Sequence, residues 1–334
     1  MKKCIICKKT KNNHEFNKEH IIPESIGGSL TIDNVCKSCN SKLGEEIDSK
    51  IINDFLIKGK IVGNKIKNKK NKEKVLFEKL TSNKDPQIKL NAKRGKNGEF
   101  EKWESNTSLK SSEDKNMHTI YFDSDKDKKT VLKEIEGLFE HKYGKTLTEE
   151  KKNEILYKIN NEHGHPEIEF NYRSTINFKK LTREFIKIAY ETAHYILGEK
   201  YFDDEIGQDL RESLFDENHE LIEKYADRGM KLVSAPNFEK IFNQMNFLSD
   251  KNLIHLIQIW GINNKLYLII NLFNIYINCI CITETVNSYN FNEIVYFILF
   301  YHENDEKSFD EMNDIDLAMK YIEKFSKRLC PKLS

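Results

Sequence analysis

Two pairs of cysteines are the clearest chemistry in the chain. Cys4 and Cys7 form one CxxC, Cys36 and Cys39 form another, and 28 residues separate the pairs. Each pair places two thiolates on one tight turn, and two such turns complete a tetrahedral shell for a structural Zn2+. The sequence opens with a polar segment, has no apolar run of signal-peptide length, and is expected to be cytoplasmic. In that reducing compartment four such thiols read as a metal site rather than as disulfides. Cys279, Cys281 and Cys330 lack partners at ligand spacing and read as buried or incidental thiols.

The segment between the pairs carries more than a zinc knuckle needs. It reads Glu19-His20-Ile21-Ile22-Pro23, then Gly27-Gly28, then Asp33-Asn34-Val35-Cys36 and, past the second pair, Asn40-Ser41-Lys42-Leu43-Gly44. The first string suggests a short strand stopped by Pro23, and the glycine pair a loop. Asp33-Asn34-Val35 suggests a second strand. From Asn40 to about Ile57, Leu43, Ile47, Ile51 and Phe55 recur every fourth residue, a helical pattern. The expected local architecture is strand, long loop, strand, helix, with zinc fastening its ends.

In order and spacing these residues resemble the HNH endonuclease family, in particular its zinc-stapled ββα-metal subgroup with two flanking CxxC pairs. The resemblance covers about residues 4–55, with Asn40 in place of the last histidine of the motif. It implies phosphodiester hydrolysis with His20 as general base. A neutral imidazole can take a proton from water near pH 7. Glu19 and Asn40 would hold a hard divalent cation, Mg2+ or Mn2+ with Ni2+ as a further candidate, at the leaving oxygen. Asn34 would orient the loop that carries His20. Neighbours on a regular strand face opposite ways, so a site shared by Glu19 and His20 requires the strand to be irregular there. The resemblance also implies DNA as substrate and a restriction or anti-phage role in bacteria. Two alternatives stand beside it: a zinc-dependent DNA-binding protein without catalysis, and an HNH nuclease acting on RNA. Cleavage by a homodimer, or control by a small-ligand or protein activator, is compatible with the sequence.

The charge distribution separates the chain into unlike parts. The whole has a net charge of +1, but residues 1–74 hold 17 lysines against 9 acids, a balance of +8, and the rest carries −7. From Lys58 to Lys74 there are eight lysines and one acid. Lys65, Lys67, Lys69 and Lys70 in this run, with Lys42 on the helix, are candidate phosphate contacts. The expected organisation is an HNH module over 1–57, a lysine-rich linker over 58–75, and a regulatory, oligomerising or target-sensing domain over 76–334.

With 38% hydrophobic and 11% aromatic residues, the chain can bury a core, which excludes global disorder. The most apolar stretch, Leu266–Ile282, is interrupted by Asn271, Asn274 and Asn278 and is too short and polar to span a bilayer. The fold class expected is α+β. Short strands are expected at 87–90 and 118–122, and helical pattern at 129–160. A clear helix is expected from Phe178 to Leu197, capped by Gly198. An antiparallel meander is expected from 255–260, 266–272 and 276–283, and a last helix over 315–328. His14 and the His163-Gly164-His165-Pro166 string read as surface or loop, and His194 as a core or interface residue.

Overall fold

The computed structural model describes residues 1–67, 72–111, 118–161, 164, 168–172, 174–216, 220–222, 253–262, 264–289, 295–303 and 306–312. The fold is α+β and divides into two compact units: residues 1–69 with 175–334, and residues 70–174 inserted between them. This differs from the expected division at 57 and 75. The physical reason is that the N-terminal module shares its core with the distant C-terminal elements.

In the first unit, β1 (Lys2–Lys3) and β2 (Thr10–Lys11) pair antiparallel around the first cysteine turn. Strands β3 (Phe16–His20) and β4 (Thr31–Cys36) form a second antiparallel pair. A helical run follows: α1 (Lys37–Leu43), a π turn over Gly44–Asp48, α2 (Ser49–Ile52) and α3 (Phe55–Gly63). Strict i+4 spacing drifts by about 40° per step on an α-helix. The wider π turn takes back that drift, and Leu43, Ile47 and Ile51 are all buried. The run breaks at Asn53–Asp54, where the Asp54 carboxylate accepts the amides of Leu56 and Ile57 and starts α3. The first residues of the expected linker are therefore helical, and Ile61 and Ile66 lie in the core.

The inserted unit holds the sheet β5 (Lys79–Thr81), β6 (Lys89–Arg94) and β7 (Phe100–Ser105), and the pair β8 (Ser108–Ser111) and β9 (His118–Tyr121). Helices α4 (Lys128–Tyr143) and α5 (Glu149–Asn161) follow, and Val131, Ile135, Leu147 and Ile159 form a small core. The helical span expected over 129–160 is two helices, because Gly144 adopts φ 65° and ends α4.

The chain then returns to the first unit. Helix α6 (Phe178–Leu197) begins at Asn177, whose side chain accepts the Lys180 amide, and ends at Gly198, φ 70°. Helix α7 (Glu205–Ser213) follows, capped by Asp204. A five-stranded antiparallel sheet comes next: β10 (Leu253–Ile262), β11 (Lys265–Leu272), β12 (Tyr276–Thr283), β13 (Val295–Glu303) and β14 (Glu306–Met312), in the order β12-β11-β10-β13-β14. The expected meander is its first three strands. Phe273 and Asn274, at φ 55° and 56°, make the tight turn between β11 and β12, and Asn271 Oδ1 accepts the Asn274 amide at 3.0 Å. Two of the asparagines that break the apolar stretch thus build a hairpin. No helix among the described residues is long and apolar enough to cross a membrane. The helix expected over 315–328 lies outside them.

Helix α6 is the centre of this unit. A helix buried all round needs partners on every side, and α6 packs against α2, the π turn, α7, β11 and β12. One core joins Ile5, Ile21, Ile26, Val35, Leu43 and Ile57 to Phe185, Ile188, Tyr190, Ile257, Leu268 and Ile298. Tyr190 Oη donates to the Ile5 carbonyl at 2.6 Å. His194 is a core residue, ringed by Tyr190, Tyr201 and Phe202 at 4.7, 5.0 and 4.9 Å between centroids.

Candidate metal centre and nuclease site

The two cysteine turns meet. The Sγ atoms of Cys4, Cys7, Cys36 and Cys39 all lie within 4.8 Å of one another, and Cys7 and Cys36 are 3.9 Å apart. A Zn–S distance of about 2.3 Å sets a tetrahedral edge of roughly 3.8 Å, so the donor set fits Zn2+ in both chemistry and spacing. The Cys36 amide donates to Cys4 Sγ at 3.3 Å. Lys11 Nζ is 3.2 Å from Cys36 Sγ, and Ser38 Oγ 3.3 Å. Burial pushes the Cys36 thiol up, but Ser38, the Cys39 amide and Lys11 outweigh it and bring it down to about 6. Burial and the neighbouring thiols push Cys39 up, and a bound cation reverses that effect.

The paired strands that follow place the motif. The β3–β4 register runs from Phe16 opposite Cys36 to His20 opposite Thr31, and slips between Asn17 and Glu19. The strand is therefore irregular, one residue ahead of where a shared Glu19–His20 site needs it. Glu19 is buried, 4% exposed, while the His20 side chain keeps 29% of its surface and its Nε2 lies 3.9 Å from Glu24 Oε2. The Glu19 carboxylate meets Lys187 of α6, Oε1 to Nζ 2.8 Å. Asn40 Nδ2 donates to the Lys18 carbonyl at 3.1 Å, which leaves its Oδ1 as a hard donor. Asn34 is half-buried on β4, and its carbonyl accepts the Ile5 amide at 3.0 Å, joining the strand to the zinc knuckle. As a set for a divalent cation, Asn40 fits, whereas Glu19 already serves the Lys187 ammonium.

The loop after His20 is held by side chains that the motif does not contain. Glu24–Ile26 is a 3-10 turn ending in Gly27 at φ 107°. A Cβ on Gly28 would stand 1.8 Å from the Ile22 carbonyl oxygen, so glycine is required. Three carbonyls of this stretch accept hydrogen bonds from far along the chain. His20 accepts from Lys187 Nζ at 3.1 Å, and Glu24 from Lys307 Nζ at 2.9 Å. His255 Nε2 lies 2.8 Å from the Ile26 carbonyl. Burial pushes His255 down to about 4, so it is a neutral ring that donates through Nε2–H.

Around Lys187 lies a charged cluster with no access to water. Lys187, Glu184 and Glu191 are each 0% exposed. Lys187 Nζ is 3.0 Å from Asp48 Oδ1 and 3.8 Å from Glu191 Oε2. Burial disfavours the ammonium, but Glu191, Asp48, Glu19 and Glu184 outweigh it and hold its pKa above the ordinary value. Burial, with neighbouring carboxylates, drives Glu184 and Glu191 well above the usual carboxylate range. Burial and the crowding of four carboxylates around one ammonium both disfavour the charged form of these two.

The lysines expected at phosphate divide. Lys42 Nζ sits 3.9 Å from the Phe215 ring centroid and pairs with Glu46 at 3.9 Å. Lys65 is exposed at φ 54° and Lys67 is half-buried; Lys69 and Lys70 lie outside the described residues. Of the remaining histidines, His14 is exposed, and His163 and His165 lie outside the described residues. Reasoning from the sequence missed Lys187, Asp48, His255 and Lys307. The only signal was charge on the inner face of an otherwise apolar helix, at 184, 187 and 191.

Residues 4–56 match the family model for HNH endonuclease. No curated protein and no solved structure matches the chain. The N-terminal segment is thus an HNH module carrying a four-cysteine cluster suited to zinc.

Proposed function

We propose that the protein is a metal-dependent HNH endonuclease that hydrolyses DNA phosphodiester bonds. The observation that supports this most is the half-open His20 imidazole, at the end of β3 within the segment that matches the family. There it can accept the proton of an attacking water. Asn40, fixed by its bond to Lys18 and by the adjacent Cys39, offers an amide oxygen beside the same strand. Glu19 completes the proposed cation site, sharing its carboxylate with Lys187. A divalent cation bound there would stabilise charge on the leaving oxygen. Asn34 ties the second strand to the zinc knuckle, and Lys42, Lys65 and Lys67 are proposed phosphate contacts. A role in bacterial restriction or anti-phage defence, in the cytoplasm, is proposed from the family resemblance.

The test is plasmid nicking with Mg2+, Mn2+ or Ni2+, comparing the wild type with His20→Ala and running single-stranded RNA in parallel. Equal cutting by both proteins rejects His20 as the base, and preferential cutting of RNA replaces the substrate. One observation favours a second reading, DNA binding without catalysis: the Glu19 carboxylate is buried against Lys187. Retarded DNA migration without nicks under all three cations would select it.

A further inference from the structure

We propose that Lys187 is a positioning residue of the nuclease site, so that helix α6 belongs to the catalytic machinery and not only to its support. The inference rests on the nuclease reading above. It starts from the three oxygens that the ammonium reaches: the Glu19 carboxylate at 2.8 Å, the Asp48 carboxylate at 3.0 Å and the His20 carbonyl at 3.1 Å. The first and third belong to the two residues of β3 that the chemistry uses. The second belongs to the π turn that continues the helix bearing Asn40. One buried cation therefore ties the strand of the general base to the helix of the proposed metal ligand.

The direction of each bond matters. Lys187 holds His20 by its backbone carbonyl and not by its imidazole. It holds Glu19 by the side chain, which fixes that carboxylate beside the strand. Within the cluster Lys187 is the cation, and its ammonium carries three N–H donors for these three oxygens. An ammonium with no exposure has exchanged water for these oxygens, so its position is set by them and theirs by it.

The test uses the full-length, zinc-loaded protein. Lys187→Met alone strips the cation from both Glu19 and Asp48 and threatens the fold, so the charge-balanced Lys187→Met/Asp48→Asn variant is made beside it, with Lys187→Arg as the conservative control. We expect the balanced variant, in which Glu19 alone loses its cation, to keep its zinc and to unfold cooperatively, between wild type and Lys187→Met in stability. Its KM for DNA should stay within about twofold of wild type while kcat falls roughly 10- to 100-fold, the loss typical of a misplaced catalytic group. Arg should restore part of kcat. Hydrogen exchange should rise at residues 19–28 and stay unchanged at the two cysteine turns. Unaltered kcat in the folded balanced variant overturns the proposal, as does an increase in activity at low metal, which would make Lys187 a competitor of the cation. A wild type that cuts nothing overturns the nuclease reading and this inference with it. A cutting wild type with an equally active variant overturns this inference alone.

Discussion

The Lys187 ammonium donates to the His20 carbonyl across 167 residues of sequence, at 3.1 Å and without access to water. The proposed general base and the residue proposed to steady its strand thus come from opposite halves of the chain.

Removing the cation alone should therefore be costly. Lys187→Met is expected to destabilise the fold by about 3–5 kcal/mol, because the buried Glu19 and the half-buried Asp48 lose their cation. Denaturant unfolding of the single and balanced variants measures it. A single variant as stable as the balanced one would show that the carboxylates had taken up protons instead.

Metal removal should act through the same core. Cys4 and Cys36 are fully buried and belong to the cluster that contains Phe185 and Ile257. Binding of structural zinc is folding free energy, on the order of 10 kcal/mol at neutral pH. Cys36→Ser, or a strong chelator, should abolish the cooperative thermal transition of the first unit. Metal analysis giving one zinc per chain would support the assignment, and an unchanged melt without metal would refute it.

His20→Ala should behave in the opposite way. Its ring is partly open and its carbonyl, the atom Lys187 holds, survives the substitution. Fold and zinc content should be retained, with cleavage lower by roughly 10²–10⁴-fold, the usual worth of general base catalysis. Unfolding of this variant would count against the loop geometry described here.

Acid should weaken the protein through its buried histidines. Burial lowers His255 to about 4 and His194 to about 3, against about 6.5 in an unfolded chain. Between these values the unfolded chain binds more protons than the folded one. Their contribution is therefore complete above pH 6.5 and is lost as pH falls toward 4. For His255 alone this amounts to about 3 kcal/mol. His255→Gln can still donate to the Ile26 carbonyl and does not titrate, so its stability should fall less steeply over this range in the presence of excess zinc. Identical slopes for variant and wild type would remove His255 from the account.

Much of this was legible in the sequence, for local reasons. The CxxC spacing, the Gly27-Gly28 turn, the α6 stripe with Gly198 at its end, and the alternation in β10–β12 are all statements about residues a few positions apart. What escaped were relations between distant segments. The +8 and −7 balance suggested separable parts, yet Ile5 and Ile26 pack in one core with Ile257 and Ile298. Glu19 read as a metal ligand, and the ammonium it meets lies 168 residues away, at Lys187. Lys187 drew no reading at all, since its partners at 19, 20 and 48 are far off in sequence. Gly144 broke a helix whose apolar pattern ran straight through it.

The three carbonyls beside His20, Glu24 and Ile26 receive their donors from positions 187, 307 and 255. All three donors lie far along the chain from the loop they hold, the last of them 283 residues past Glu24. A chain truncated before β10 would carry the motif without the His255 and Lys307 donors to this loop.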